Sequence, residues 1–146
     1  MARGLPIPDD HQTLAEFMRD AGYETGHIGK WDIGSAEQGP QNRGFTQVAR
    51  SAPRSAPGER YSCKRQDGTT AYRTDVEGDQ MAEFVERNKD KPFFLYFSPH
   101  AIHSPLNDTP KHYRDRIVGG GTGYEGAVVS VDDQVGKLQA QLRKFG

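Results

Sequence analysis

The run Phe93-Phe94-Leu95-Tyr96-Phe97, with Pro92 before it and Pro99 shortly after it, constrains this chain more than any other feature. It is the longest uninterrupted apolar stretch in 146 residues. Five residues fall far short of the roughly 20 that a membrane-spanning helix needs. A short apolar run between two breakers, placed after a helical pattern, suits a buried strand of a parallel sheet.

Helical patterns surround that strand. Leu14, Phe17, Met18 and Ala21 recur at helical spacing and predict one apolar face. Asp9 or Asp10 is the expected cap, and Gly22 the expected stop. A short strand over residues 23–29 follows. Val76, Met81, Phe84 and Val85 predict a second helix to about Asn88, capped by Thr74 or Asp75. A short helix is expected over residues 110–117, broken by Gly119-Gly120-Gly121. A long helix over residues 124–145 is expected to turn Val128, Val131, Val135, Leu138 and Leu142 toward the core. Helix, strand, loop, helix, strand, loop, helix is the order of an α/β architecture with a mostly parallel sheet.

Residues 34–70 break the pattern with Pro40, Pro53, Pro57 and several Gly and Ser, and read as one long irregular stretch. Arg50, Arg54, Arg60, Lys64 and Arg65 fall there. They read as a solvated loop or as a basic cluster for an anion. Leu, Ile, Val and Phe supply only 26 of the 146 residues. At about 18% that is a thin core for the length. Nineteen basic against 20 acidic residues leave a net charge of −1, which argues against a general nucleic-acid binder. The first ten residues, MARGLPIPDD, contain no apolar run of signal-peptide length. Cys63 is the single cysteine, so neither an internal disulfide nor a cysteine-built zinc site is available. Its Lys64-Arg65 context favours a lowered thiol pKa, although a plain surface thiol fits the same residues.

Two loops follow the two predicted strands. One is Gly29-Lys30-Trp31-Asp32-Ile33-Gly34, the other Ser98-Pro99-His100-Ala101-Ile102-His103-Ser104-Pro105-Leu106. Sites of open α/β sheets gather beyond the carboxyl ends of the strands. A lysine there can hold an anion as a point charge. A histidine can bind the same anion or protonate a leaving oxygen near neutral pH. Spacing alone also leaves Lys30 readable as a solvent-facing lysine and His103 as a hydrogen-bonded structural histidine. His27 reads as packing within its strand, His11 as exposed, and His100 and His112 as structural or surface residues. Asp132-Asp133 lie inside a helical pattern and read as capping or ion-pair residues.

Several strings carry a resemblance. Thr13-Leu14-Ala15-Glu16 and Asp20-Ala21-Gly22-Tyr23 lead into Gly29-Lys30-Trp31; Arg43-Gly44-Phe45 and Tyr72-Arg73-Thr74-Asp75 follow. Then come Lys91-Pro92-Phe93-Phe94-Leu95-Tyr96, the Ala101–Leu106 loop and Val131-Asp132-Asp133-Gln134-Val135-Gly136. Collinear and in this order, the set resembles the sulfatase family. The resemblance implies an alkaline-phosphatase-like α/β fold and hydrolysis of sulfate esters, either small aryl sulfates or sulfated glycans. It implies a formylglycine made within a C/S-x-P-x-R motif, and a divalent cation, usually calcium, held by an early Asp pair and a later Asp-Asn. Lys30 matches the lysine, and His103 the histidine, that contact the sulfate. Asp32 stands at a substrate-binding position where the family usually has histidine. Members are commonly exported.

No C/S-x-P-x-R occurs in this sequence, and Asp132-Asp133 do not match the family's metal ligands. The expectation is therefore a partial sulfatase catalytic domain over residues 1–146, with an irregular insertion at about 34–70 and no turnover of its own. Two other functions fit the residues: a non-catalytic remnant that binds an anion or partner protein, and a phosphoester or phosphonate hydrolase of the same superfamily.

Overall fold

The computed structural model describes residues 6–8, 10–34, 36–49, 61–65, 67–104, 106 and 109–145. Asp9, Arg50, Pro53, Arg54, Pro57, Arg60 and Pro105 lie outside the described residues.

The elements run α1 (Leu14–Asp20), β1 (Glu24–Gly29), β2 (Gln47–Val48), β3 (Ser62–Lys64), β4 (Thr70–Tyr72), α2 (Arg73–Asn88), β5 (Phe93–Ser98), α3 (Lys111–Arg114) and α4 (Gly123–Phe145). Single 3-10 turns occupy Ala36–Gln38 and Pro40–Asn42. The expected irregular stretch therefore contains order, because β2 joins the main sheet and β3 pairs with β4.

The main sheet is parallel, in the order β2-β1-β5. Along β1 and β5 the register runs from Glu24 opposite Phe93 to Gly29 opposite Ser98. Strand alternation sends Ile28 to one face, where it packs with Met81, Phe84 and Val85 of α2 and with Phe93, Leu95 and Phe97 of β5. Gly26 faces the same way, and α2 comes so close that a Cβ there would overlap the Phe84 ring. The other face carries Thr25 and His27, covered by the Arg43-Gly44-Phe45 turn. The strand predicted as buried is only half-buried, and Tyr96 is 48% exposed. Among the described residues β5 is a sheet edge, and the Phe45 ring stacks over Phe94 and Tyr96 on one of its faces.

Local chemistry corrects three expectations. Thr13, not Asp9 or Asp10, caps α1: its hydroxyl accepts from the Glu16 N–H at 3.1 Å, and the Glu16 carboxylate accepts from the Thr13 N–H at 2.7 Å. This reciprocal box satisfies two N–H groups, of which a lone Asp cap would satisfy one. The expected apolar face of α1 is turned outward, with Leu14 and Phe17 exposed and only Ala15 buried. Gly44 (φ +94°) presses against the Ala15-Glu16 backbone, and that contact sets the rotation of the helix. Likewise α2 begins at Arg73, with Tyr72 as cap residue and no capping bond from a side chain.

Helix α4 packs on both α2 and α3, and it buries Gly126, Ala127, Ser130 and Gln134, with Gly126 against Thr109 and Arg114 and Gln134 against Gly78. Gln134 fills the space where Gly78 lacks a side chain. Of the predicted core face, Leu138 reaches the core, whereas Val128, Val135 and Leu142 are exposed.

A second cluster joins Tyr61, Tyr72 and Tyr113 with Leu106 and Val129. The β3–β4 hairpin enters it, closed by Asp67, which accepts from the Thr69 N–H at 2.9 Å and the Thr69 hydroxyl at 2.6 Å. Cys63 is fully buried here, contrary to the surface thiol expected. Alternation along β3 turns Cys63 inward and Lys64 outward, and Arg65 pairs with Asp79. Burial raises the thiol pKa, overriding the neighbouring cations. Among the described residues no helix is long and apolar enough to cross a membrane.

Candidate active site

The two loops named from the sequence leave the sheet side by side, because β1 and β5 are parallel neighbours ending in register at Gly29 and Ser98. Gly29 turns the chain with φ +108°, and a Cβ there would overlap the Ser98 carbonyl. The Lys30 N–H donates to that carbonyl at 2.7 Å, and the Ser98 hydroxyl donates to the Lys30 carbonyl at 2.8 Å. Lys30 is therefore stapled to the residue that opens the second loop.

Beyond the staple, the Trp31 indole donates to the Gln38 carbonyl at 2.9 Å and packs edge-on to His27, with centroids 5.2 Å apart. The Lys30 ammonium meets the Asp32 carboxylate at 2.8 Å. That hydrogen bond and charge, helped by His103 and His100, hold the Asp32 carboxyl below the usual carboxylate range. The register of β1 and β5 places the Lys30–Asp32 pair on the loop next to the one that carries His100 and His103.

His103 is exposed, and its Nδ1 donates to the Ser104 carbonyl at 2.6 Å. That bond leaves Nε2 as the ring atom available to a ligand. His27, read as packing, is buried beneath Trp31 and Phe45, and burial pushes its pKa down. His11 is exposed beside Asp10. His112 lies against the Tyr113 ring at 4.1 Å.

The sequence reading missed the partner of His100. Glu77 of α2, 4% exposed, accepts from the His100 backbone N–H at 3.1 Å and pairs with the ring Nδ1. A signal was there to find: Glu77 shares a helix face with Thr74, Met81, Phe84 and Asn88, all buried. A carboxylate on a buried stripe requires a partner.

The residues described do not fit a calcium ion. Among them no three His, Cys, Asp or Glu converge to hold a metal. Asp32 is engaged by Lys30, and Asp133 by Arg116. Cys63 does not fit a formylglycine either, since it is sealed inside the hairpin and no Pro or Arg stands at the required offsets.

A family model described as Sulfatase matches residues 5–146. The chain belongs to the sulfatase family. Mouse N-acetylgalactosamine-6-sulfatase is 26% identical over 96% of this chain and 31% of that protein. The uncharacterized sulfatase YdeN of Escherichia coli (strain K12) is 28% identical over 98% of this chain and 31% of that protein. The chain thus spans less than a third of the length of these relatives. The crystal structure of Ps i-CgsB in complex with k-i-k-neocarrahexaose superposes with a TM-score of 0.78 at 23% identity, over 99% of this chain and 39% of that one. The fold is therefore that of the sulfatases: a parallel sheet with flanking helices, of which these residues form a part.

Proposed function

We propose that this chain forms the sulfate-holding part of a sulfatase catalytic domain, with Lys30 and His103 as the residues that contact the sulfate group. The observation that supports this most is the staple between Lys30 and Ser98, which puts the lysine loop beside the histidine loop at the carboxyl ends of β1 and β5. Sulfuryl transfer spreads negative charge over the sulfate oxygens and builds it on the leaving oxygen. A fixed ammonium is suited to the first, and the Nε2–H of a protonated imidazole to the second, because Nδ1 already donates to the Ser104 carbonyl. The proposed substrate class is a sulfated glycan. Relatives are named as N-acetylgalactosamine-6-sulfatases, and one structural neighbour was solved with a neocarrahexaose.

The nucleophile and cation of such a reaction are not supplied by the residues described. The purified 146-residue chain is accordingly expected to bind sulfate without turning over 4-nitrophenyl sulfate. Isotope-labelled chain titrated with inorganic sulfate should show saturable shifts at Lys30 and His103, weakened by Lys30→Ala and by His103→Ala. A folded sample with no saturable response overturns the proposal.

The ion pair to Asp32 favours a second function: a non-catalytic anion binder whose affinity is set by that carboxylate. Calorimetry with sulfated oligosaccharides separates the two. Tight binding of the intact oligosaccharide, together with weak binding of free sulfate, supports the binder.

A further inference from the structure

We infer that Glu77 is a positioning residue for the His103 loop, acting through His100; this rests on the sulfate-binding role proposed for His103. After Ser98 the chain leaves the sheet edge, and Ile102, His103 and Ser104 are exposed. A loop this open needs fixing from elsewhere if its histidine is to meet an anion with any precision.

Two side chains do so from outside the sheet. Glu77 grips His100 twice, through its backbone N–H at 3.1 Å and through ring Nδ1. The Tyr61 hydroxyl, at the entry to β3, donates to the His103 carbonyl and lies 3.4 Å from the His100 carbonyl. The two clamps hold the ends of the four-residue segment 100–103. Between them they hold the backbone that carries the His103 side chain.

A carboxylate on the buried face of α2 is costly unless it is fully used. Methionine or leucine would serve packing against the sheet as well. Glu77 instead spends both oxygens on one loop residue. The bond to Nδ1 also settles the ring: Nδ1 carries the proton toward Glu77, and Nε2 is the remaining atom. A carboxylate that orients an imidazole in this way is a common support for site histidines. His100 stands two residues after Ser98, which is hydrogen-bonded to Lys30, so the ring that Glu77 orients sits on the loop beside the lysine.

The test uses the full chain with Glu77→Ala and Glu77→Gln, and inorganic sulfate as the probe. Glutamine keeps an acceptor for the His100 N–H but loses the second carboxylate oxygen. The expected order of sulfate affinity, read at the His103 resonances, is wild type, then Gln, then Ala, with Ala weaker by at least about fivefold. Glu77→Ala should also speed hydrogen exchange of the His100 amide at least tenfold relative to β1 amides. A role in stability alone would lower the unfolding midpoint of both variants and leave the sulfate Kd within twofold, and that result overturns the inference. If Glu77→Ala does not fold, the Gln variant decides on the same Kd criterion. If wild type binds no sulfate, the proposed function fails, and the amide exchange alone then decides whether Glu77 holds the loop.

Discussion

Lys30 Nζ lies 2.8 Å from Asp32 Oδ2, so the ammonium proposed to hold a sulfate already has a carboxylate partner. The family resemblance leads one to expect histidine at position 32, and an acid beside the proposed anion site would repel the ligand. Lys30 offsets the acid, since its hydrogen bond and charge hold the Asp32 carboxyl below the usual range. An arriving sulfate has to compete with Asp32 for the same ammonium.

Asp32→Asn should therefore tighten sulfate binding, by about threefold to tenfold at low salt for an exposed pair. The advantage should shrink as ionic strength rises and the Debye length falls. Calorimetric titration of both proteins at two salt concentrations checks it. Equal affinities at low salt would mean that Asp32 leaves Lys30 without cost.

Cys63 should be silent toward a thiol reagent in the folded chain. Its side chain is fully buried, and burial raises its pKa, so both access and thiolate are lacking. One equivalent should react only after denaturation. Cys63→Ser should lower stability by about 1–2 kcal/mol, since a hydroxyl is harder to bury than a thiol. Rapid labelling of the native protein would show that the hairpin opens.

The α/β order, the strands and the two loops were legible because alternation, helical spacing and breakers are local signals. So was the α1 cap in principle, since Thr13-Leu14-Ala15-Glu16 is an S/T-x-x-E string. What misled was helix rotation. Periodicity marks an apolar face, but which face is buried depends on where two backbones come closest. Gly44 against Ala15, and Gly78 beneath Gln134, decide that for α1 and α4. In the site, Lys30 and His103 stood out as residues in post-strand loops. Glu77 did not, because its partner His100 is 23 residues away and the two meet only after α2 docks on the sheet.

Gly29→Ala and Gly22→Ala should differ sharply although both glycines have positive φ, +108° and +88°. Each substitution incurs the backbone strain of an L-residue there, about 1–2 kcal/mol. Nothing lies within 4 Å of a Cβ at Gly22, whereas at Gly29 it would overlap the Ser98 carbonyl that accepts from Lys30. Gly29→Ala should therefore cost about 3 kcal/mol or more in total and abolish sulfate binding by breaking the staple. Urea denaturation with the sulfate titration tests both. Similar losses for the two variants would show that the close approach at Gly29 is relieved by movement of the loop.

His27 gives the fold a pH dependence of known sign. It is 1% exposed, its Nδ1 has no partner among the described residues, and burial lowers its pKa from the ordinary 6.5. The folded state therefore resists protonation while the unfolded state accepts it. Stability should be at its full value above pH 6.5 and fall as pH drops below it, down to the depressed folded-state pKa. The slope from this residue can reach about 1.4 kcal/mol per pH unit. His27→Gln removes the titrating group, so its urea midpoint should fall less between about pH 7 and pH 5.5 than that of wild type. The comparison is of slopes, because the substitution also changes packing against Trp31 and Phe45. Parallel curves for the two proteins would show that another group sets the acid limb, and that His27 takes up its proton without unfolding the sheet.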